Sequence, residues 1–173
     1  MKNLKKFVAL LLAGVMAMVM LTACSGGTTA DTEKEEAIRK QLGKRTEATS
    51  LCDRDGKVEN DSQLYKETAK LLDARIKAET SAFGILAIDF DVKGIDPVEQ
   101  YVTVTLSADY KTAGLVAGLI TKITEELGKI ESTNNSVKLD TEWAKAAVVV
   151  RTNEKGSYAA IAIQVKNLAY PKT

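Results

Sequence analysis

Between Asp61 and Lys166 the spacing of apolar residues changes period three times, and this change limits the possible folds more than any other feature. From Asp61 to Phe83, Tyr65, Ala69, Leu72 and Ile76 recur at helical spacing, with Leu64 and Leu71 beside them. Lys66, Glu67, Lys70, Asp73 and Lys77 form the opposite, solvated face. Asp61 or Ser62 supplies an N-cap and Gly84 an end. Leu86, Ile88, Phe90 and Val92 then alternate with Ala87, Asp89 and Asp91, which predicts a half-buried strand over Ile85 to Val92. Lys93 to Pro97 interrupts it, and Gln100 to Ser107 forms a second strand with Val102, Val104 and Leu106 inward. The pair reads as a hairpin with a loop longer than the tightest type.

The helical period returns over Lys111 to Ile130, where Val116, Leu119, Ile120, Ile123, Leu127 and Ile130 share one face. Gly114 and Gly118, one turn apart, suit a helix lying close to a sheet. Ala146 to Thr152 and Ser157 to Lys166 are strands joined by a turn at Asn153 to Gly156. Thr141 to Lys145 fits either a short helix or an extension of the strand. Glu33 to Ser50 has a narrow apolar stripe, Ala37, Ile38 and Leu42, and reads as an N-terminal helix opening at a capping box formed by Thr32 and Glu35.

The order helix, strand, strand therefore occurs twice. The economical architecture is an α+β two-layer sandwich, with two helices on one face of a four-stranded antiparallel sheet and the N-terminal helix added to it. On that plan the outward positions of the sheet are Asp89, Asp91, Tyr101, Thr103, Thr105, Tyr158 and Gln164, with Arg151 at the margin. Small polar residues with two tyrosines suit a recognition surface. A solvated sheet face has the same pattern, and the Glu33 helix lying across it would make these residues structural. Asp89 and Asp91 project to one side, the arrangement that acid pairs of glycoside chemistry require, although alternating acids on an exposed strand also serve solubility.

The first residues follow a different logic. Lys2, Lys5 and Lys6 precede an uncharged apolar run from Phe7 to Leu21, shorter than the ~20 residues of a membrane-spanning helix. The run ends in Leu21-Thr22-Ala23-Cys24. This stretch resembles the signal peptide and lipobox of bacterial lipoproteins. The resemblance implies cleavage before Cys24 and a diacylglycerol on its thiol, which places the protein on the outer face of a membrane. Two acyl chains anchor stably where one is marginal, at ~0.8 kcal/mol per buried CH₂. The chain then divides into a leader, residues 1–23; a small, polar tether, 24–32; and one domain, 33–173.

Loss of the leader removes three lysines and no acid, so the formal charge changes from +1 to −2. No basic stripe is present, and nucleic acid is not an expected partner. The chain has no histidine, which excludes Ser-His-Asp and Cys-His nucleophile pairs and the H-E-x-x-H zinc motif. Once Cys24 is acylated, only Cys52 remains, without a second thiol and without an activating motif. Asp53-Arg54-Asp55-Gly56 opens like a calcium loop, but Lys57 falls where a ligand belongs, and an ordinary Asp-Gly turn is the favoured reading. No cofactor and no metal are expected.

These features suit a non-catalytic, membrane-anchored module that binds an envelope protein, a peptide or a cell-wall component. Two other readings remain. Trp143 to Val165, with Leu64-Tyr65 and Ala69, resembles parts of CAP-domain (cysteine-rich secretory protein-like) proteins, which implies a secreted enzyme; that family's histidines are absent, so no site carries over. The third is an accessory or inhibitory subunit that docks through a sheet edge or outer face.

Overall fold

The computed structural model describes residues 28–79, 88–110 and 115–171. The expected leader, Cys24, the end of the Asp61–Phe83 helix, the start of the Ile85–Val92 strand, and Lys111 to Gly114 lie outside them. The chain runs β1 (Thr29–Ala30), α1 (Thr32–Leu42), a 3₁₀ turn (Thr46–Leu51), α2 (Ser62–Glu79), β2 (Asp89–Ile95), β3 (Val98–Asp109), α3 (Leu115–Thr133), β4 (Leu139–Asn153) and β5 (Gly156–Asn167). All strand pairs are antiparallel, in the order β1-β4-β5-β3-β2.

The molecule is α+β, as the sequence implies, but it differs from the expected sandwich in two respects. The sheet has five strands rather than four, because β1 pairs Thr29 with Thr152 and Ala30 with Arg151. Thr28 to Thr32, assigned from composition to the tether, are thus part of the fold. The helices also lie on both faces of the sheet rather than one. Ile38 and Leu42 of α1, Leu119, Ile120 and Ile123 of α3, and Val58 pack on Val104, Leu106, Val148, Ile161 and Ile163. Leu64, Ala69, Leu72 and Ile76 of α2 pack on the other face, against Ala147, Val149, Tyr158, Ala160 and Ala162.

The reason lies in β4 and β5. Residues 146–150 and 158–163 are unbroken apolar runs with every position buried, the pattern of strands covered on both faces. Alanines at 147, 160 and 162 leave room for α2 to approach the sheet, while the opposite face carries the bulkier aliphatics. Each large aliphatic side chain so buried contributes ~1.5–3 kcal/mol.

Local chemistry fixes the helix ends. Asp31, rather than Thr32, caps α1: its Oδ1 accepts from the Lys34 N–H at 3.1 Å. Gly43 closes α1, whose last residue, Leu42, lies eight residues before Ser50. No side chain fits at Gly43, since a Cβ there would lie 2.0 Å from the Gly56 carbonyl oxygen. Asp61 caps α2, with Oδ1 accepting from the N–H groups of Leu64 and Gln63 at 2.9 and 3.2 Å. Gly118 is exposed with nothing within 4 Å of a Cβ built on it, so it does not bring α3 close to the sheet.

β4 extends from Leu139, which makes Thr141 to Lys145 strand; register irregularities on either side of Trp143 turn that ring into the core. In the β2–β3 hairpin Ile95 pairs with Val98, so only Asp96 and Pro97 form the turn, a tighter connection than expected; the Asp96–Pro97 peptide is cis. Gly94, at φ 86°, carries the irregularity between Lys93 and Ile95.

Candidate functional site

The strand register places the polar residues singled out from the sequence in one band on the α2 face. Across β2, β3 and β5 the rows are Asp89–Ser107–Ala160, Asp91–Thr105–Ala162 and Lys93–Thr103–Gln164, with Tyr101 opposite Lys166. Six of the seven residues, Asp89, Asp91, Tyr101, Thr103, Thr105 and Gln164, are therefore neighbours. They are not equally accessible. Thr103 and Thr105 are buried, Asp91, Tyr101 and Gln164 are half-buried, and Asp89 is exposed. Gln164 Nε2 donates to Thr103 Oγ1 at 3.1 Å.

Tyr158 shares the face but not the surface. It is fully buried against Leu72 and Ile76, so its expected role in an open recognition face is corrected: α2 occupies the space above it. Between α2 and β2 the band is bounded by ion pairs. Arg75 Nη2 meets Asp89 Oδ2 at 2.7 Å, and its Nη1 donates to Ser107 Oγ at 2.6 Å. Lys93 Nζ stands 4.0 Å from Glu67 Oε2. Asp89, tied to Arg75, and Asp91, across from Thr105, do not form an isolated acid pair. The accessible part of the band is a polar strip made of Asp89, Asp91 and Lys93 on β2, Tyr101 on β3 and Gln164 on β5.

A second polar group was not assembled from the sequence. Where α1, α2 and β4 meet, Arg151 is 4% exposed and Glu35 is 6% exposed. Arg151 Nε donates to Asp73 Oδ1 at 3.1 Å, and its Nη1 lies 3.9 Å from Glu35 Oε1. The same Glu35 oxygen accepts from the Tyr65 hydroxyl at 3.0 Å and from the Val150 N–H at 2.9 Å. Burial raises the Glu35 carboxyl above its usual range, against the opposing pull of the Val150 and Tyr65 hydrogen bonds and Arg151. Burial likewise raises the Tyr65 phenol, reinforced by Glu35. Burial works against the Arg151 charge, yet Tyr65 and Asp73 hold its pKa above the ordinary value. Among the described residues no buried side-chain nitrogen or oxygen lacks a partner, and this knot is a closed network that clamps a helix on each face around the edge of β4. One sequence signal pointed to it: an arginine directly after a five-residue apolar strand run needs a buried counterion.

The other candidate motifs take local roles. Asp53 Oδ1 accepts from the N–H groups of Asp55 and Lys57, both at 2.9 Å, which makes the segment an Asp-Gly turn with Gly56 at φ 71°. Those bonds lower the Asp53 pKa, that to Lys57 most. Cys52 is half-buried, with its thiol directed at the carbonyls of Ala48 and Gly43 at 3.3 and 3.7 Å. Two open surface grooves of ≈560 and ≈360 Å³, one lined by Glu33, Glu36, Lys40 and Lys57 and the other by Gln41, Arg45, Ala117 and Thr121, lie away from the strip. Among the described residues no group of three or more Cys, Asp or Glu side chains is placed to hold a metal ion, and no helix is long and apolar enough to cross a membrane. The chain matches no protein-family model, no curated protein and no solved structure.

Proposed function

We propose that this chain is a membrane-anchored extracytoplasmic lipoprotein whose folded domain is a non-catalytic binding module, and that it recognises an envelope protein, a peptide or a cell-wall component along β2. The observation that carries the recognition half is the difference in cover along the α2 face. α2 overlies β4 and much of β5, while the polar strip across β2, β3 and β5 keeps Asp91, Tyr101 and Gln164 half-open beside β2, which among the described residues has a ladder partner on one side only. An outermost strand offers backbone hydrogen bonds for affinity, and alternate side chains offer specificity. The anchoring half rests on the lipobox at Leu21 to Cys24.

Each half has its own test. Mass spectrometry of the mature protein from membranes should find Cys24 as the first residue carrying a diacylglycerol, and Cys24→Ser should release the protein from the membrane fraction. An unmodified thiol or a retained leader rejects the anchoring. Photocrosslinking residues introduced at Asp91 and Tyr101 should give a discrete adduct in intact envelopes that is missing from the same substitution at Glu59, on the opposite side of the molecule. Identical adducts at all three positions, or none at the first two, reject the recognition strip.

A further inference from the structure

The anchoring reading has a geometric consequence. Cys24 precedes Thr28 by four residues, and Thr28 is already fixed in the fold: it is 5% exposed, with Oγ1 3.5 Å from Asp73 Oδ1, and the next residue pairs with Thr152. Whatever path the intervening chain takes, four Cα–Cα steps reach at most ~14 Å. The Cα of Cys24 therefore cannot stand farther than this from Thr28, and its sulfur only a side chain's length farther.

That point lies at one end of the sheet. Going backward along β1, Ala30 faces Arg151 and Thr29 faces Thr152, and Asn153 opposite Gly156 closes the β4–β5 turn. The chain thus enters beside that turn. The opposite end carries the β2–β3 turn at Asp96 and Pro97. Along β3, Asp109 shares a row with Tyr158 and Arg151, and Val98 is eleven residues away, so the ends are ~36 Å apart at the usual strand rise.

We infer that the β4–β5 turn end of the domain rests on the outer leaflet of the bilayer and the β2–β3 turn points away from it. A tether of three residues, Ser25 to Gly27, holds the turn end within a headgroup layer's thickness of the lipid, whereas a long tether would let the domain tumble. The exposed Glu154 and Lys155 then face the headgroups. Ile88, 51% exposed and only two rows from the Thr29–Thr152 level, is an apolar contact near the same surface. Strand β2 runs away from the membrane, which leaves Asp91 and Tyr101 open to a partner approaching from the side.

The test uses the lipidated full chain in liposomes containing a lipid with a headgroup quencher. In a Cys52→Ala background with Cys24 retained, a fluorophore is attached through Lys155→Cys or through Gln100→Cys, both exposed sites; Glu154→Cys and Glu99→Cys provide a second pair if either label disturbs folding. The label at 155 should be quenched several-fold more than the label at 100. A flexible insert of about twenty Gly and Ser residues between Gly27 and Thr28 should collapse the difference, because its fully extended reach, ~70 Å, then exceeds the length of the domain. Equal quenching in the native-length protein, or stronger quenching at 100, overturns the orientation. A difference that survives the long insert overturns the short tether as its cause. Mass spectrometry on the same samples separates the two readings: a bare Cys24 removes the anchor itself, whereas lipidated protein with equal quenching removes the orientation alone.

Discussion

Strands β4 and β2 both lie toward the margins of the sheet, yet their outer sides are finished in different ways. Along β4, β1 covers Thr152 and Arg151, the Asp31 N–H donates to the Val150 carbonyl at 3.1 Å, and Glu35 accepts from the Val150 N–H. Two residues back along β4, the Asn60 side chain imitates a strand: Oδ1 accepts from the Val148 N–H at 2.8 Å and Nδ2 donates to the Val148 carbonyl at 3.3 Å. The Asp61 N–H donates to the Ala146 carbonyl at 2.9 Å. β2 has β3 on one side and a different defence on the other: seven residues, Asp89 and Lys93 exposed, and the Gly94 irregularity. Short length, charge and a bulge block indiscriminate pairing without removing the edge. Sealing makes β4 part of the core and sets its stability; blunting leaves β2 soluble and still able to receive a partner.

The largest expected effect comes from breaking the seal at its charged centre. Arg151→Ala leaves Glu35 and Asp73 without their cation, and loss of one member of a buried ion pair costs ~3–5 kcal/mol. Urea unfolding should show that loss, and a change below ~1 kcal/mol would mean that the knot is not a stabilising clamp. Asn60→Ala strips both hydrogen-bonding groups of Val148 of their partner and should cost ~1–3 kcal/mol. It should also raise self-association in sedimentation, since the β4 backbone becomes available for pairing.

Glycines sharpen the comparison on the other side. At Gly94 a Cβ would lie 2.1 Å from the Tyr101 carbonyl oxygen, in a left-handed conformation, so Gly94→Ala should destabilise by more than ~1 kcal/mol and distort the β2 edge. Gly118→Ala, on an open helical surface, should stabilise by ~0.5–1 kcal/mol in the same thermal melts. Acid titration provides a subtler distinction. The Glu35 pKa is raised in the fold above its ordinary 4.5, so the native state holds a proton more tightly there, and the contribution of Glu35 to stability falls as pH rises through that window. The caps behave oppositely. The pKa values of Asp31 and Asp61 are lowered from 3.8, so their stabilisation is present above that value and is lost as pH falls below it. Glu35→Gln should flatten the decline above pH 4.5 and leave the acid limb in place; an unchanged curve would remove Glu35 as the titrating group. The smallest change in stability, within ~0.5 kcal/mol, is expected for Asp91→Ala on the exposed edge, where the effect should appear only as loss of the crosslinked adduct from the neighbouring Tyr101 position.

The elements were legible in the sequence because each is a local pattern. The helical stripe from Leu64 to Ile76 and the alternation of Phe90 and Val92 follow from which side chains must avoid water. The band at Asp89, Asp91, Tyr101, Thr103, Thr105 and Gln164 was also legible, since side chains two residues apart on a strand share a face. What the band touches was not. Tyr158 has the same alternation as Thr103, yet it lies under α2, and periodicity does not record which helix covers which column. Nor did composition separate Thr28 to Thr32 from a linker, because two residues of strand carry no period.

By itself the sequence determined the order of the three helices and of strands β2 to β5, the apolar stripe of each helix and the absence of histidine chemistry. These depend on neighbours in the chain, and a few residues suffice to state them. Only the tertiary structure decided that the helices flank the sheet on both sides, that Glu35, Tyr65, Asp73 and Arg151 meet, and that Thr29 and Ala30 pair with β4. Each of those outcomes depends on contacts between residues from thirty to over a hundred positions apart, or on a strand pairing across the whole domain, and such contacts are selected by packing of the complete core rather than by any local preference.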